Sequence, residues 1–409
     1  MPVLQRRRAE PESPARPRPG SGRRKRPWWE SWAGRLRPMD RQVLWLYLLT
    51  RIGVWVTACS TRWLFPSDED TRDPGPLLAP FEQWDWHHYA RIAQDGYFPG
   101  LDGPWQKDWD NREAFFPGFP LLLRGVHLVV AHWTSAGLLI SLVAGAVAVV
   151  SLARIAQRSL PGQDAGRRTV MLLLLSPCAI FLAVGYTEAV FLALALPAWL
   201  AAERRNWALA ALLTTLATSV RISGLFLAAA IAVQFLLTAR RRGDWASAPW
   251  LVLPALPVLV FSWFLEAHTG DWMAWQKAQA RGWYRDFHTP WDAWGNTWNG
   301  AFDHTYGTGY AFMLQAELVA MLVGLFLVGL LIRRRRWAEA VYVGLSLWAL
   351  GTSYWYMSVP RATLLWWPLW IAVAAASLRR PQICTLCLCV VAPLSTVFAV
   401  TFFSGRWAG

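Results

Sequence analysis

Ser135–Leu152 reads SAGLLISLVAGAVAVVSL, eighteen residues without an ionisable side chain. A bilayer core of about 30 Å takes roughly 20 apolar helical residues per crossing, so this stretch predicts a membrane-spanning helix. Met171–Val184, Leu251–Leu265 and Met313–Ile332 approach the same description. Across 409 residues the composition is 55% hydrophobic and only 16% charged, too apolar and too continuous for an ordinary soluble domain. The expected fold class is an all-α polytopic membrane protein.

The formal charge of +14 invites a nucleic-acid reading, but its placement argues otherwise. Residues 1–41 hold twelve Lys and Arg against four Asp and Glu, in a Pro/Arg/Ser-rich stretch with too few apolar residues to fold. It is read as a disordered cytoplasmic tail that enforces orientation and touches anionic lipid, with no nucleic-acid partner. No small-residue cleavage motif follows Leu44–Trp63, so that segment reads as an uncleaved first span rather than a signal peptide. Cys384, Cys387 and Cys389 lie in an apolar segment without a nearby His and read as packing residues rather than a metal cluster.

Lys and Arg mark cytoplasmic loops. Placing Arg154, Arg158, Arg167, Arg168, Arg204, Arg205, Arg240–Arg242, Arg333–Arg336, Arg379 and Arg380 inside folds residues 42–403 into one transmembrane domain. Its spans fall near 42–63, 134–153, 169–185, 187–203, 207–220, 222–239, 249–266, 311–332, 338–357, 362–378 and 382–403, about eleven in all, with a short tail at 404–409. Two long loops, 64–133 and 268–309, then lie outside. The first carries a semi-apolar piece, Phe115–Val130, which suits a helix lying in the membrane interface.

Ionisable residues within apolar sequence are costly and usually have a task. Glu188, Arg221 and Arg361 lie at hairpin tips between basic clusters, so by parity they point outside, where Asp85 also stands. Around Asp85 the first loop reads FEQWDWHHYARIAQDGY from Phe81 to Tyr97. Trp84 and Trp86 beside the carboxylate supply a sugar-stacking surface and a partly desolvated setting that strengthens a base. From Trp86 a short helix ending at Gly96 puts His88 one turn from Asp85, placed to bind substrate or to cap the acid.

From this run onward the chain resembles the phosphatidylinositol-glycan class V mannosyltransferases, here as a bacterial member. The resemblance continues in order through Ala114-Phe115-Phe116-Pro117, Ser176-Pro177 with Tyr186-Thr187-Glu188, Arg221-Ile222-Ser223-Gly224, Gly270-Asp271-Trp272 with Ala278-Gln279, and Pro360-Arg361. It covers roughly residues 51–376 and omits the basic tail. It implies a GT-C glycosyltransferase fold with interfacial helices in its two outer loops. It also implies inverting transfer of mannose from a polyprenyl-phosphate-linked donor to a hydroxyl of a lipid-linked or protein acceptor, at the extracytoplasmic face of the cell membrane. On that reading Asp85 is the catalytic base, Arg221 and Arg361 bind the donor phosphate, and Trp84, Trp86, His88, Glu188 and Gln279 contact sugar or acceptor. Asp85 has no adjacent carboxylate, so metal-independent catalysis without a cofactor is expected. The rival readings are a transporter or flippase and a non-catalytic accessory subunit of the same fold.

Overall fold

The computed structural model describes residues 37–65, 75–100, 111–161, 164–239 and 242–409. The expected basic tail, apart from its last residues, lies outside them. Among the described residues the secondary structure is helical throughout. The chain is an all-α polytopic membrane protein, as its composition predicts.

In chain order the helices are α1 (Pro38–Leu64), α2 (Asp85–Asp95), α3 (Gly118–His127), α4 (Trp133–Ser159), α5 (Ala165–Leu174), α6 (Thr187–Glu203), α7 (Trp207–Val220), α8 (Gly224–Thr238) and α9 (Leu256–Thr269). There follow α10 (Ala274–Trp283), α11 (Pro290–Phe302), α12 (Thr308–Arg333), α13 (Trp337–Gly351), α14 (Val359–Ala362), α15 (Trp367–Arg379) and α16 (Pro381–Phe403). Five described helical stretches are long and apolar enough to cross a membrane: α1, α4, Gly243–Thr269, α12 and α16. A sixth counts if α14 through α15, bent by 79°, makes one crossing.

Several expected spans are not continuous helices, and prolines account for two of the breaks. The stretch expected at 169–185 ends as an α-helix at Leu174, because Pro177 forces Ser176 into the extended region, and continues as a 3-10 segment over Pro177–Leu182. Before α9, Pro249 and Pro254 accompany a run of 3-10 turns over Arg242–Ala255. The expected 338–357 span stops at Gly351, and its remainder forms an irregular loop.

The core lies where α4, α6, α7, α8 and α13 pack together. Small residues allow close approach: Ala189, Ala195, Ala198, Ala210 and Ala217 are wholly buried. The two loops expected to carry interfacial helices do contain helices: α2 and α3 in the first and α10 and α11 in the second. Helix α3 buries Phe119 and Leu123 while Leu121 and Leu122 face outward, the asymmetry of a helix lying on a surface.

Charges separate along the long helices. Asp40 at the start of α1 pairs with Arg154 near the end of α4 at 2.8 Å, and Arg158 pairs with Glu203 at the end of α6 at 3.1 Å. Glu188 stands at the other end of α6, roughly 22 Å away at 1.5 Å per residue.

Candidate active site

Helix α2 is fixed by Trp86. Its ring lies between Gly137 of α4 and Gly185 before α6, so close that a Cβ on either glycine would come within 2.5 Å of the ring. Trp86 is buried as a wedge, which corrects the expectation that it offers a sugar-stacking face. Trp84, half-exposed, donates its indole N–H to the Arg406 carbonyl at 3.2 Å and stays away from the cavity described below. What this pair does instead is aim Asp85: Trp84 takes φ 51°, a left-handed conformation that costs a non-glycine residue about 1–3 kcal/mol, and α2 starts at the next residue.

Arg221 occupies the break between α7 and α8. Gly224 closes that break against Thr218, whose backbone nitrogen lies 2.5 Å from where a Cβ would stand, so the Arg-x-x-Gly spacing has a steric cause. Arg361 rides on α14, a single turn held by Glu317 of α12. The wholly buried Glu317 carboxylate accepts from the backbone N–H of Ser358 and of Val359, both at 2.7 Å.

These elements converge on one network. Arg361 donates through Nη1 to Asp85 Oδ2 at 2.7 Å and through Nε to Glu188 Oε1. Arg221 donates through Nη1 to the same Glu188 oxygen at 2.7 Å and to Thr187 Oγ1 at 2.7 Å. The Arg361 guanidinium also lies over the rings of Phe181 and Tyr186, at 4.7 and 4.9 Å. Asp85, Glu188, Arg221 and Arg361, singled out from the sequence, thus share one site. Glu188 is wholly buried beneath the two guanidiniums and does not line the cavity, so it holds the arginines rather than touching a sugar.

Asp85, Arg221 and Arg361 face a cavity of about 450 Å³, whose far wall comes from the second long loop: Trp275, Gln279, Trp283 and Arg285. Gln279 lines it and donates to the Ala114 carbonyl at 3.0 Å. His88 is set behind Phe115, stacked on that ring at 4.7 Å and edge-on to Trp283 at 5.6 Å, and does not line the cavity. Tyr89 does line it, with its hydroxyl 3.4 Å from Thr187 Oγ1.

Arg285 was not singled out from the sequence. It follows Tyr284, another non-glycine residue in the left-handed region at φ 54°, and reaches the cavity without a carboxylate within ion-pair distance among the described residues. Trp275, Trp283 and Tyr89 escaped notice as well. The first two carry a signal, tryptophans at both ends of a ten-residue amphipathic helix.

Burial raises the Asp85 carboxyl, but the charge and hydrogen bond of Arg361, aided by His88 and Arg221, outweigh it and leave the group below its ordinary value. Arg285 is lowered to about 10, by burial first and then by the charges of Arg221 and Arg361. It remains protonated at neutral pH. Among the described residues the cavity therefore carries three guanidiniums against one lining carboxylate and the buried Glu188, an excess of one positive charge.

A bundle of membrane helices with an aromatic-walled, cationic cavity at its end and one carboxylate facing in defines a polytopic membrane protein with a polar, anion-receptive site. Residues 75–240, which include Asp85, Glu188 and Arg221, match the family model described as mannosyltransferase (PIG-V). Curated relatives are GPI alpha-1,6-mannosyltransferase 2 of Cricetulus griseus, 36% identical over 182 residues (42% of this chain, 34% of the relative), and of Rattus norvegicus, 32% identical over 253 residues (56% and 48%). The Homo sapiens protein of that name is 33% identical over 207 residues, 47% of this chain and 38% of its own length. The matches span between about a third and a half of these relatives. Over residues 75–240 the chain is thus similar to the PIG-V mannosyltransferases, the family that its motifs resemble.

Proposed function

We propose that this chain transfers mannose from a polyprenyl-phosphate-linked donor to an acceptor hydroxyl at the non-cytoplasmic face, with inversion and without a metal. The observation that carries this reading is Asp85, the one cavity-facing carboxylate among the described residues, opposite a surplus of guanidinium. A sugar phosphodiester brings one negative charge, the amount the cavity lacks.

In the resting state Arg361 holds Asp85 ionised but weakens it as a base. A donor phosphate entering beside Arg221, Arg285 and Arg361 competes for those donors, loosens the hold on Asp85, and so restores basicity when substrate is present. The acceptor oxygen then forms its bond to the anomeric carbon as the bond from that carbon to phosphate oxygen breaks. The hydroxyl proton passes to Asp85, and the second negative charge developing on the departing phosphate meets three guanidiniums. Trp283 and Phe115 give the sugar apolar faces, while Gln279 and Tyr89 offer hydrogen bonds. Burial and the charge of Asp85 push the Tyr89 hydroxyl upward, so it remains a donor throughout.

Asp85→Asn tests the reading because it keeps size and removes the base. Mannose transfer from polyprenyl-phosphate mannose in washed membranes should fall by about 10²–10⁴-fold at unchanged protein level. Wild-type activity should also survive chelation by EDTA. Undiminished transfer by the variant would remove Asp85 from the chemistry, and loss with EDTA would remove the metal-free step.

A further inference from the structure

Arg51 lies on α1 and is only 7% exposed. Its guanidinium sits 4.8 Å over the Tyr47 ring, and Nη2 reaches Thr50 Oγ1 at 3.4 Å. Nε and Nη1 are buried without a hydrogen-bond partner among the described residues. The mechanism above does not use this residue, and a buried unpaired charge in apolar surroundings is among the costliest arrangements a membrane protein can hold.

Arg51 lines a second cavity, of about 300 Å³, that shares no residue with the one around Asp85. Trp55 and Phe81 form part of its wall, with Leu138, Leu139 and Leu142 from α4, and no acid among the described residues lines it. The Tyr47 hydroxyl donates to the carbonyls of Ser141 and Leu142, so Arg51, one turn further along α1, stands beside the opening turns of α4. Leu142 is nine residues into α4, which puts the cavity within about 14 Å of the helix end on the Asp85 side. Leu139, Leu142 and Val143 share one face of α4 and are all more than a third exposed.

We propose that this cavity binds a membrane phospholipid of net negative charge, with its phosphate on the Arg51 guanidinium and an acyl chain along Leu139, Leu142 and Val143. The phosphodiester supplies the missing counter-charge and matches the planar guanidinium in a bidentate way. The apolar walls suit a lipid rather than a soluble anion. Among the described residues no carboxylate lines the cavity to pair with the ammonium of a zwitterionic head group, which favours a lipid whose head group carries net negative charge.

The full chain, in discs of phosphatidylcholine with or without phosphatidylglycerol, provides the test, read by lipid retained in native mass spectrometry and by melting temperature. Wild type should retain phosphatidylglycerol selectively and melt higher with it. Arg51→Gln should lower that occupancy by roughly tenfold, the loss expected for charge-assisted hydrogen bonds, and Arg51→Lys should lower it less. Ser135→Glu places a carboxylate on the cavity wall, so it should fold and melt alike in both discs even where Arg51→Gln fails to fold. Equal retention of the two lipids by wild type, undiminished preference in Arg51→Gln, or a lipid-dependent melt in Ser135→Glu would each overturn the site. Displacement of phosphatidylglycerol by polyprenyl phosphate at equal concentration would overturn its assignment to a phospholipid.

Discussion

Three guanidiniums facing one cavity repel one another, and Arg285 bears the clearest mark of it, since its proton is held less tightly because of burial and its two neighbours. An arginine in that position is unfavourable in the empty site and favourable once an anion arrives. Arg285→Gln is therefore expected to leave the ligand-free protein as stable as wild type or more so, while raising the KM for the donor by roughly tenfold. A lower melting temperature together with unchanged donor kinetics would mean that Arg285 serves packing instead. Asp85 has the opposite sign: its depressed carboxyl stabilises the fold above the ordinary carboxylate range, and that contribution disappears as pH falls through the lowered value. The sequence revealed Asp85, Glu188, Arg221 and Arg361 because a charge stands out in apolar or aromatic surroundings. It did not reveal Arg285, which sits between Arg281 and Asp286 in a polar loop where one more charge carries no signal. Trp86 was misjudged for a related reason: an aromatic ring beside an acid reads the same whether it stacks on a sugar or fills the slot between Gly137 and Gly185.

Short elements place the longest levers in this site. Helix α14 is one turn long and cannot fix its own orientation, yet it carries Arg361, which grips both carboxylates. The Glu317 carboxylate takes up its first two N–H groups, and Ser358 at φ 67° turns the chain into it. Glu317→Gln replaces one acceptor oxygen by a donor facing an N–H. It should cost about 1–3 kcal/mol of stability and reduce kcat more than it changes the donor KM, with Glu317→Asp restoring part of the rate. A variant that is destabilised but keeps its kcat would show that α14 is positioned by other contacts. Glu317 was visible as a single carboxylate in an apolar span, but its partners are backbone amides more than forty residues away, which no local pattern announces. The Arg-x-x-Gly turn was more legible, since Gly224 and the ends of α7 and α8 follow from steric needs within a few residues.

On the scale of the molecule, charge is sorted by helix end: Arg154, Arg158 and Glu203 at one end of α4 and α6, and Glu188 with its arginines at the other. That sorting was legible because positive loops mark one membrane side regardless of helix length. The crossings were less legible, since hydropathy counts apolar residues without registering where Pro177 or the 79° bend interrupts them. If the sorted charges set the orientation, the second outer loop and the end of α4 must face opposite compartments. A cysteine at exposed His304 reports one and a cysteine at exposed Ser159 the other, after Cys59, Cys384, Cys387 and Cys389 are changed to alanine. In intact cells a membrane-impermeant maleimide should label His304→Cys, and Ser159→Cys should react only after permeabilisation. The reverse pattern would put Asp85 and its arginines on the cytoplasmic side, where a donor phosphate would have to be presented from the inner leaflet. Labelling of both positions in intact cells would mean that the basic ends do not share a side, and the parity that joined Glu188, Arg221 and Arg361 to Asp85 would lose its physical basis.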